Sequence, residues 1–138
     1  MDRMEMCIRN RLDEMPAIVT MVENFGVKHG ISGIVINELN LVLDEVLSNI
    51  ISYGYLDSAT GQIMVRLNYQ SGEISAEVRD DGKPFDPLQA VSPDVGGTVQ
   101  SRRVGGLGIH FMKELMDNVV YARVGNENRL VVKKKIPI

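Results

Sequence analysis

The feature that most constrains this chain is a change of hydrophobic period at Gly54. Before it, Leu39, Leu43, Val46, Leu47 and Ile50 recur at intervals of three and four, which predicts a helix from Ser32 to Tyr53 with a single apolar stripe. After it the period is two: Ile63, Val65 and Leu67 alternate with Met64, Arg66 and Asn68, and Ile74, Ala76 and Val78 alternate with Ser75, Glu77 and Arg79. Gln70, Ser71 and Gly72 between these runs predict a tight hairpin. One sequence therefore has to place an amphipathic helix against a sheet that is apolar on one face.

The same reading extends in both directions. An edge strand is expected over Met4 to Arg11, then a helix from Asp13 to about Lys28 on Ile18, Met21, Val22 and Phe25, with Gly30 as its stop. His29, just before that stop, suits a helix C-terminus. From Asp81 to Gly106 the pattern dissolves into Gly, Pro, Asp and Ser, a length uncommon in a small domain unless the loop is functional. A third helix is expected from Leu107 to Met116. Two strands follow, Asn118 to Val124 and Arg129 to Lys135, around a Gly125 to Asn128 turn. This order predicts an α+β fold, a two-layer sandwich with helices on one face of a mixed, mostly antiparallel sheet. With 138 residues and 44% hydrophobic content, a single domain over 1–138 is expected.

Composition narrows the function classes. A net charge of −3 offers no general attraction to polyphosphate, so no direct nucleic-acid partner is expected. Cys7 is the only cysteine and His29 and His110 are the only histidines, which leaves no disulfide and no zinc site of familiar spacing. No apolar run is long enough to cross a bilayer, so neither membrane nor secretion is expected, and the cytoplasm is the expected location.

Three clusters carry chemistry. Glu45 and Asn49 lie one turn apart at the margin of the apolar stripe, where the carboxylate could accept a proton from a hydroxyl and the amide oxygen could bind Mg²⁺ beside phosphate oxygens. A solvated helix face that includes Glu38, Asp44 and Ser48 explains the same pair without function. Asp80-Asp81-Gly82-Lys83-Pro84-Phe85-Asp86-Pro87 ends an alternating strand in a turn; Asp80 could accept from the exocyclic amine of adenine, and Gly82 lets backbone approach the ring. An ordinary Asp-Gly turn is the plain alternative. Gly105-Gly106-Leu107-Gly108 opens the third helix and could present N–H groups to phosphate, although it is no Walker A loop and a ligand-free loop-to-helix junction also fits.

Taken together and in this order, the clusters resemble the GHKL, or Bergerat-fold, ATPases, and within them the small bacterial anti-sigma-factor serine protein kinases. Glu45-Val46-Leu47-Ser48-Asn49 matches the N-box, Asp80-Asp81-Gly82 the first glycine box and Gly105 to Gly108 the second. NIISYGY at 49–55 and GGLGIHFMKELMD at 105–117 are close to the anti-sigma kinase forms. Pro84 stands where many relatives of the wider superfamily have a second glycine, and the resulting PFDP is familiar in the anti-sigma kinase branch.

The resemblance implies ATP and Mg²⁺ as cofactors, Glu45 as general base, Asn49 on the metal, Asp80 on the adenine amine and Gly82 beside the ring. Gly105, Gly106, Leu107 and Gly108 would close over the phosphates. An ATP lid would span about 85–105, with Arg103 or Arg102 neutralising phosphate charge. It further implies serine/threonine kinase activity toward a STAS-type anti-anti-sigma protein, sequestration of a sigma factor, and a homodimer. A non-catalytic ATP-binding switch between protein partners, or a structural domain without nucleotide, would share much of this sequence.

Overall fold

The computed structural model describes residues 2–55, 59–87 and 112–136. Strand β1 spans Asp2–Arg9, helix α1 Met15–Lys28 and helix α2 Gly33–Tyr53. Strands β2, Gln62–Gln70, and β3, Glu73–Asp80, form the first hairpin; β4, Asn118–Val124, and β5, Glu127–Lys135, form the second. The sheet order is β1-β2-β3-β5-β4. All four pairings are antiparallel, so the parallel pairing that a mixed sheet would need does not occur among the described strands.

Local chemistry sets the boundaries. Pro16 lacks an N–H and is tolerated only in the first turn, so α1 begins at Met15 after a separate 3-10 turn at Leu12–Glu14, rather than at Asp13. Ser32 caps α2, its Oγ accepting from Val35 N at 3.4 Å. Strand β1 lies two residues earlier than expected. It ends at Arg9 because the Asn10 side chain leaves the ladder, donating to Ala59 O at 2.8 Å and accepting from Gly61 N at 2.9 Å. The β2–β3 turn is Ser71-Gly72, both at positive φ (54° and 74°), as a two-residue hairpin loop of the I′ kind requires. The second hairpin turns at Gly125-Asn126, which lengthens β5 to begin at Glu127. Of the expected third helix, residues 112–115 are helical; 107–111 lie outside the described residues, as does His110.

The core lies between the helices and one face of the sheet. Ile63, Val65 and Leu67 of β2, Ile74, Ala76 and Val78 of β3, and Leu130 and Val132 of β5 point into it, against Phe25 and Val22 of α1 and Leu39, Leu43 and Leu47 of α2. The opposite face carries ion pairs, Arg66 to Glu5 between β2 and β1 at 3.0 Å and Arg79 to Glu77 along β3 at 2.9 Å, which at that exposure add little stability. His29 follows α1 as expected, but it is mostly enclosed: its ring lies 4.5 Å from that of Phe25 and 5.0 Å from that of Tyr69, with Nε2 3.0 Å from the Asp2 carboxylate. Lys28, 3.2 Å from the same carboxylate, holds Asp2 below the usual carboxylate range.

Helix α1 meets α2 at Gly26, where a methyl group would stand 2.5 Å from Cγ1 of Ile36. Gly26→Ala is expected to destabilise the fold by about 1–3 kcal/mol through overpacking, and Ile36→Ala in the same chain should recover part of that loss. Urea unfolding of the two single variants and the double variant measures the coupling.

Candidate functional site

An open cleft of about 590 Å³, part of it continuous with solvent, lies between the C-terminal half of α2 and the ends of β3, β4 and β5. Glu45, Asn49 and Asp80 all line it. The helical repeat accounts for the first two: they sit one turn apart beside Val46 and Leu47, which are buried, so Glu45 and Asn49 fall at the rim of the stripe and are half-buried. Neither side chain makes a hydrogen bond with another described residue, whereas Glu38, grouped with them in the sequence, pairs with Lys134 at 3.7 Å.

Asp80 is the inward residue that continues Ile74, Ala76 and Val78, and it is 4% exposed. Two donors meet its Oδ1: Gly82 N at 2.9 Å and Asn128 Nδ2 at 3.0 Å. Its Oδ2 has no partner among the described residues. Burial pushes the Asp80 carboxyl above the usual range, and the bonds from Asn128 and Gly82 oppose that shift without cancelling it.

The turn after Asp80 is fastened from three sides. Lys83 N donates to Gly54 O at 2.9 Å, Arg123 Nη1 donates to Gly82 O at 2.8 Å, and Tyr55 OH donates to Asp81 Oδ1 at 2.6 Å. Burial and the Asp81 carboxylate hold the Tyr55 hydroxyl well above its ordinary pKa. A methyl group at Gly82 would lie 2.5 Å from Gly54 O and 3.0 Å from Asp80 Oδ1. Glycine is therefore required here to bring the turn against the end of α2, a structural reason that the sequence pattern alone did not provide.

Asn128 is the residue that sequence reasoning missed, having been read as part of a turn. It is 6% exposed, directly opposite Asp80 in the β3–β5 register, and fully bonded. Nδ2 donates to Asp80 Oδ1 and to Lys83 O at 2.8 Å, while Oδ1 accepts from Phe85 N at 3.3 Å and from Tyr121 OH. Two acceptors on one side and two donors on the other fix the amide's orientation. Its signal in the sequence was the two-residue alternation Asn128, Leu130, Val132, which puts a polar residue at an inward position. Arg103, Gly105, Gly106, Leu107 and Gly108 lie outside the described residues.

The sequence profile of the histidine kinase-like ATPase domain matches residues 8–134. The chain belongs to that family. It is 31% identical over 94 residues to the serine/threonine-protein kinase BtrW of Bordetella bronchiseptica, covering 68% of this chain and 66% of that protein. It is 28% identical over 102 residues to the serine-protein kinase RsbW of Bacillus subtilis, covering 70% of this chain and 61% of that protein. The matches thus span about two thirds of these relatives' length or less. The structure of the RsbU and RsbW domains of a Mycobacterium tuberculosis protein is similar with a TM-score of 0.71 at 12% identity, covering 99% of this chain and 33% of that one. That likeness shows the fold, the two-layer α+β arrangement of this ATPase domain.

The raised Asp80 pKa has a definite sign in stability. As pH rises, the unfolded chain releases this proton before the folded one, so burial of the charge costs stability above the folded pKa and the cost disappears as pH falls through 3.8. Asp80→Asn keeps an oxygen for Gly82 N and Asn128 Nδ2 and removes the buried charge. At pH 7 the ligand-free variant should melt no lower than the parent, with the difference in its favour shrinking toward pH 3.5; calorimetry at the two pH values tests this.

Proposed function

We propose that this protein is an ATP-dependent serine/threonine protein kinase of the anti-sigma type. It transfers the γ-phosphoryl group of ATP to a hydroxyl of a STAS-type anti-anti-sigma protein, and it holds a sigma factor when that partner is modified. The observation that carries the reading is that one cleft presents a buried carboxylate, Asp80, with one oxygen unpartnered among the described residues, together with Glu45 and Asn49 on the facing helix. The kinase names of the relatives at about 30% identity support it.

The cleft divides into two parts. Asp80 Oδ2 accepts from the exocyclic amine of adenine, and the apolar walls from Val78, Ile50 and Leu130 suit the flat ring. One turn along α2, Asn49 and Glu45 lie where the triphosphate would extend. No group of three or more His, Cys, Asp or Glu among the described residues could hold a metal alone. The donor set therefore fits a cation held jointly by an amide oxygen, phosphate and water, the usual manner of Mg²⁺. Asn49 would hold it, and bound Mg²⁺ offsets charge on the phosphate oxygens.

Glu45 orients the acceptor hydroxyl and takes its proton as the new P–O bond forms and the bond from γ-phosphorus to the bridging oxygen breaks, releasing ADP. The segment at about 85–105 acts as an ATP lid, with Arg103, Gly105, Gly106, Leu107 and Gly108 on the phosphates. The added phosphate charge weakens the acceptor's complex with this protein and frees it to bind sigma. A homodimer in the cytoplasm is part of the same proposal.

Glu45→Ala should leave ATP affinity within about twofold while lowering transfer by about 10²–10⁴-fold. Transfer of γ-labelled phosphate from ATP to a STAS-domain protein of the same organism, measured beside ATP binding, decides the role. An unchanged transfer rate would remove Glu45 as the base, and no transfer by the parent protein would favour a non-catalytic switch.

A further inference from the structure

The cleft contains a buried amide that the reaction does not consume. Asn128 has every hydrogen-bonding position occupied, and its four partners come from three separate places: Asp80 at the end of β3, Lys83 and Phe85 in the turn beyond it, and Tyr121 on β4. Residues this buried and this fully bonded define the geometry of their neighbours, because any rotation leaves several polar groups without partners at once. Asp80 depends on this most. With Oδ1 engaged by Asn128 and by Gly82 N, the carboxylate is pinned about its last torsion, and Oδ2 is the oxygen left for a ligand donor.

We propose that Asn128 is a positioning residue for base selectivity: it holds the Asp80 carboxylate, and with it the 83–85 turn, in the one orientation that discriminates a purine bearing an amino group at C6 from one bearing a carbonyl. The proposal rests on the adenine reading of the cleft and deepens it. Selectivity by this device arises from opposition as much as attraction. A C6 amine donates to Oδ2, whereas a C6 carbonyl would set oxygen against oxygen in a poorly hydrated site. Discrimination requires a fixed carboxylate, since a free one rotates or retreats and tolerates either base. Nothing in this role calls for Asn128 to touch the nucleotide.

ADP and IDP, which differ at C6, separate this role from general damage to the fold. Their affinities are to be measured by calorimetric titration for the parent protein, for Asn128→Ala, and for Asn128→Asp, which retains both acceptor positions but replaces the amide donor with a carboxyl oxygen facing Asp80 Oδ1 and Lys83 O. The parent should prefer ADP. In either variant ADP affinity should fall about tenfold, the equivalent of one lost polar contact, while IDP affinity changes less than twofold, so that the preference collapses. Asp80→Asn, which places a donor where Oδ2 stood, should abolish or reverse the same preference. Loss of ADP and IDP affinity by the same factor would reduce Asn128 to a structural role and overturn the proposal, as would an unchanged preference in a folded variant. A parent protein that binds neither nucleotide would overturn the adenine reading itself.

Discussion

A carboxylate placed at the inner, buried end of an apolar strand face is the constraint on which the rest of this structure turns. Asp80 continues the row of Ile74, Ala76 and Val78 and is nearly as enclosed as they are. A charge in that position is tolerated only where donors converge on it. One donor is the backbone of Gly82, which forces a tight turn directly after β3; the other is Asn128, which requires β5 to pair with β3 in a single register. A slip by one residue would turn Asn128 outward and leave Asp80 with one bond. The β3–β5 register and the turn that shapes the cleft are therefore both tied to satisfying one buried group.

Helix α2 supplies the opposite wall, and it does so because its stripe is narrower than its circumference. Val46 and Leu47 are buried, which leaves Glu45 and Asn49 at the rim. The end of the helix is then brought against the β3 turn by contact between two glycines, with Gly54 O accepting from Lys83 N across the space that a side chain on Gly82 would occupy. This contact fixes the distance between the helix pair and Asp80. The same glycine that a nucleotide-centred reading places beside the ring is already demanded by the protein's own packing.

Periodicity made most of this legible in the sequence. The stripe from Leu39 to Ile50 and the alternation in 63–67 and 74–79 were sufficient for α2, β2 and β3, and the first two motif clusters pointed to Glu45, Asn49 and Asp80, which the fold brings to one cleft, while the third, Gly105 to Gly108, lies outside the described residues. Pairing was less visible. That Asn128 faces Asp80 depends on β5 inserting between β3 and β4, a long-range choice that no local pattern encodes, so Asn128 read as a turn residue. Boundaries moved where a single residue acted through its own chemistry: Pro16 delayed α1, and the side chain of Asn10 ended β1 early. Arg123 escaped notice for the same reason as Asn128, and Tyr55 was visible only as the end of the 49–55 motif, since each acts on a segment distant in sequence.

Under the proposed function, the cleft between α2 and Asp80 is an adenine-nucleotide site. Thermal unfolding of the unmodified protein with Mg²⁺ and millimolar ATP, ADP or GTP tests it without any partner protein. A ligand at about one hundred times its dissociation constant adds about 2.7 kcal/mol to the folded state, which raises the melting temperature by several degrees for a domain of this size. ATP and ADP should each produce such a rise, and GTP little or none. Equal shifts for all three would contradict recognition by Asp80, and no shift with any of them would contradict the nucleotide site.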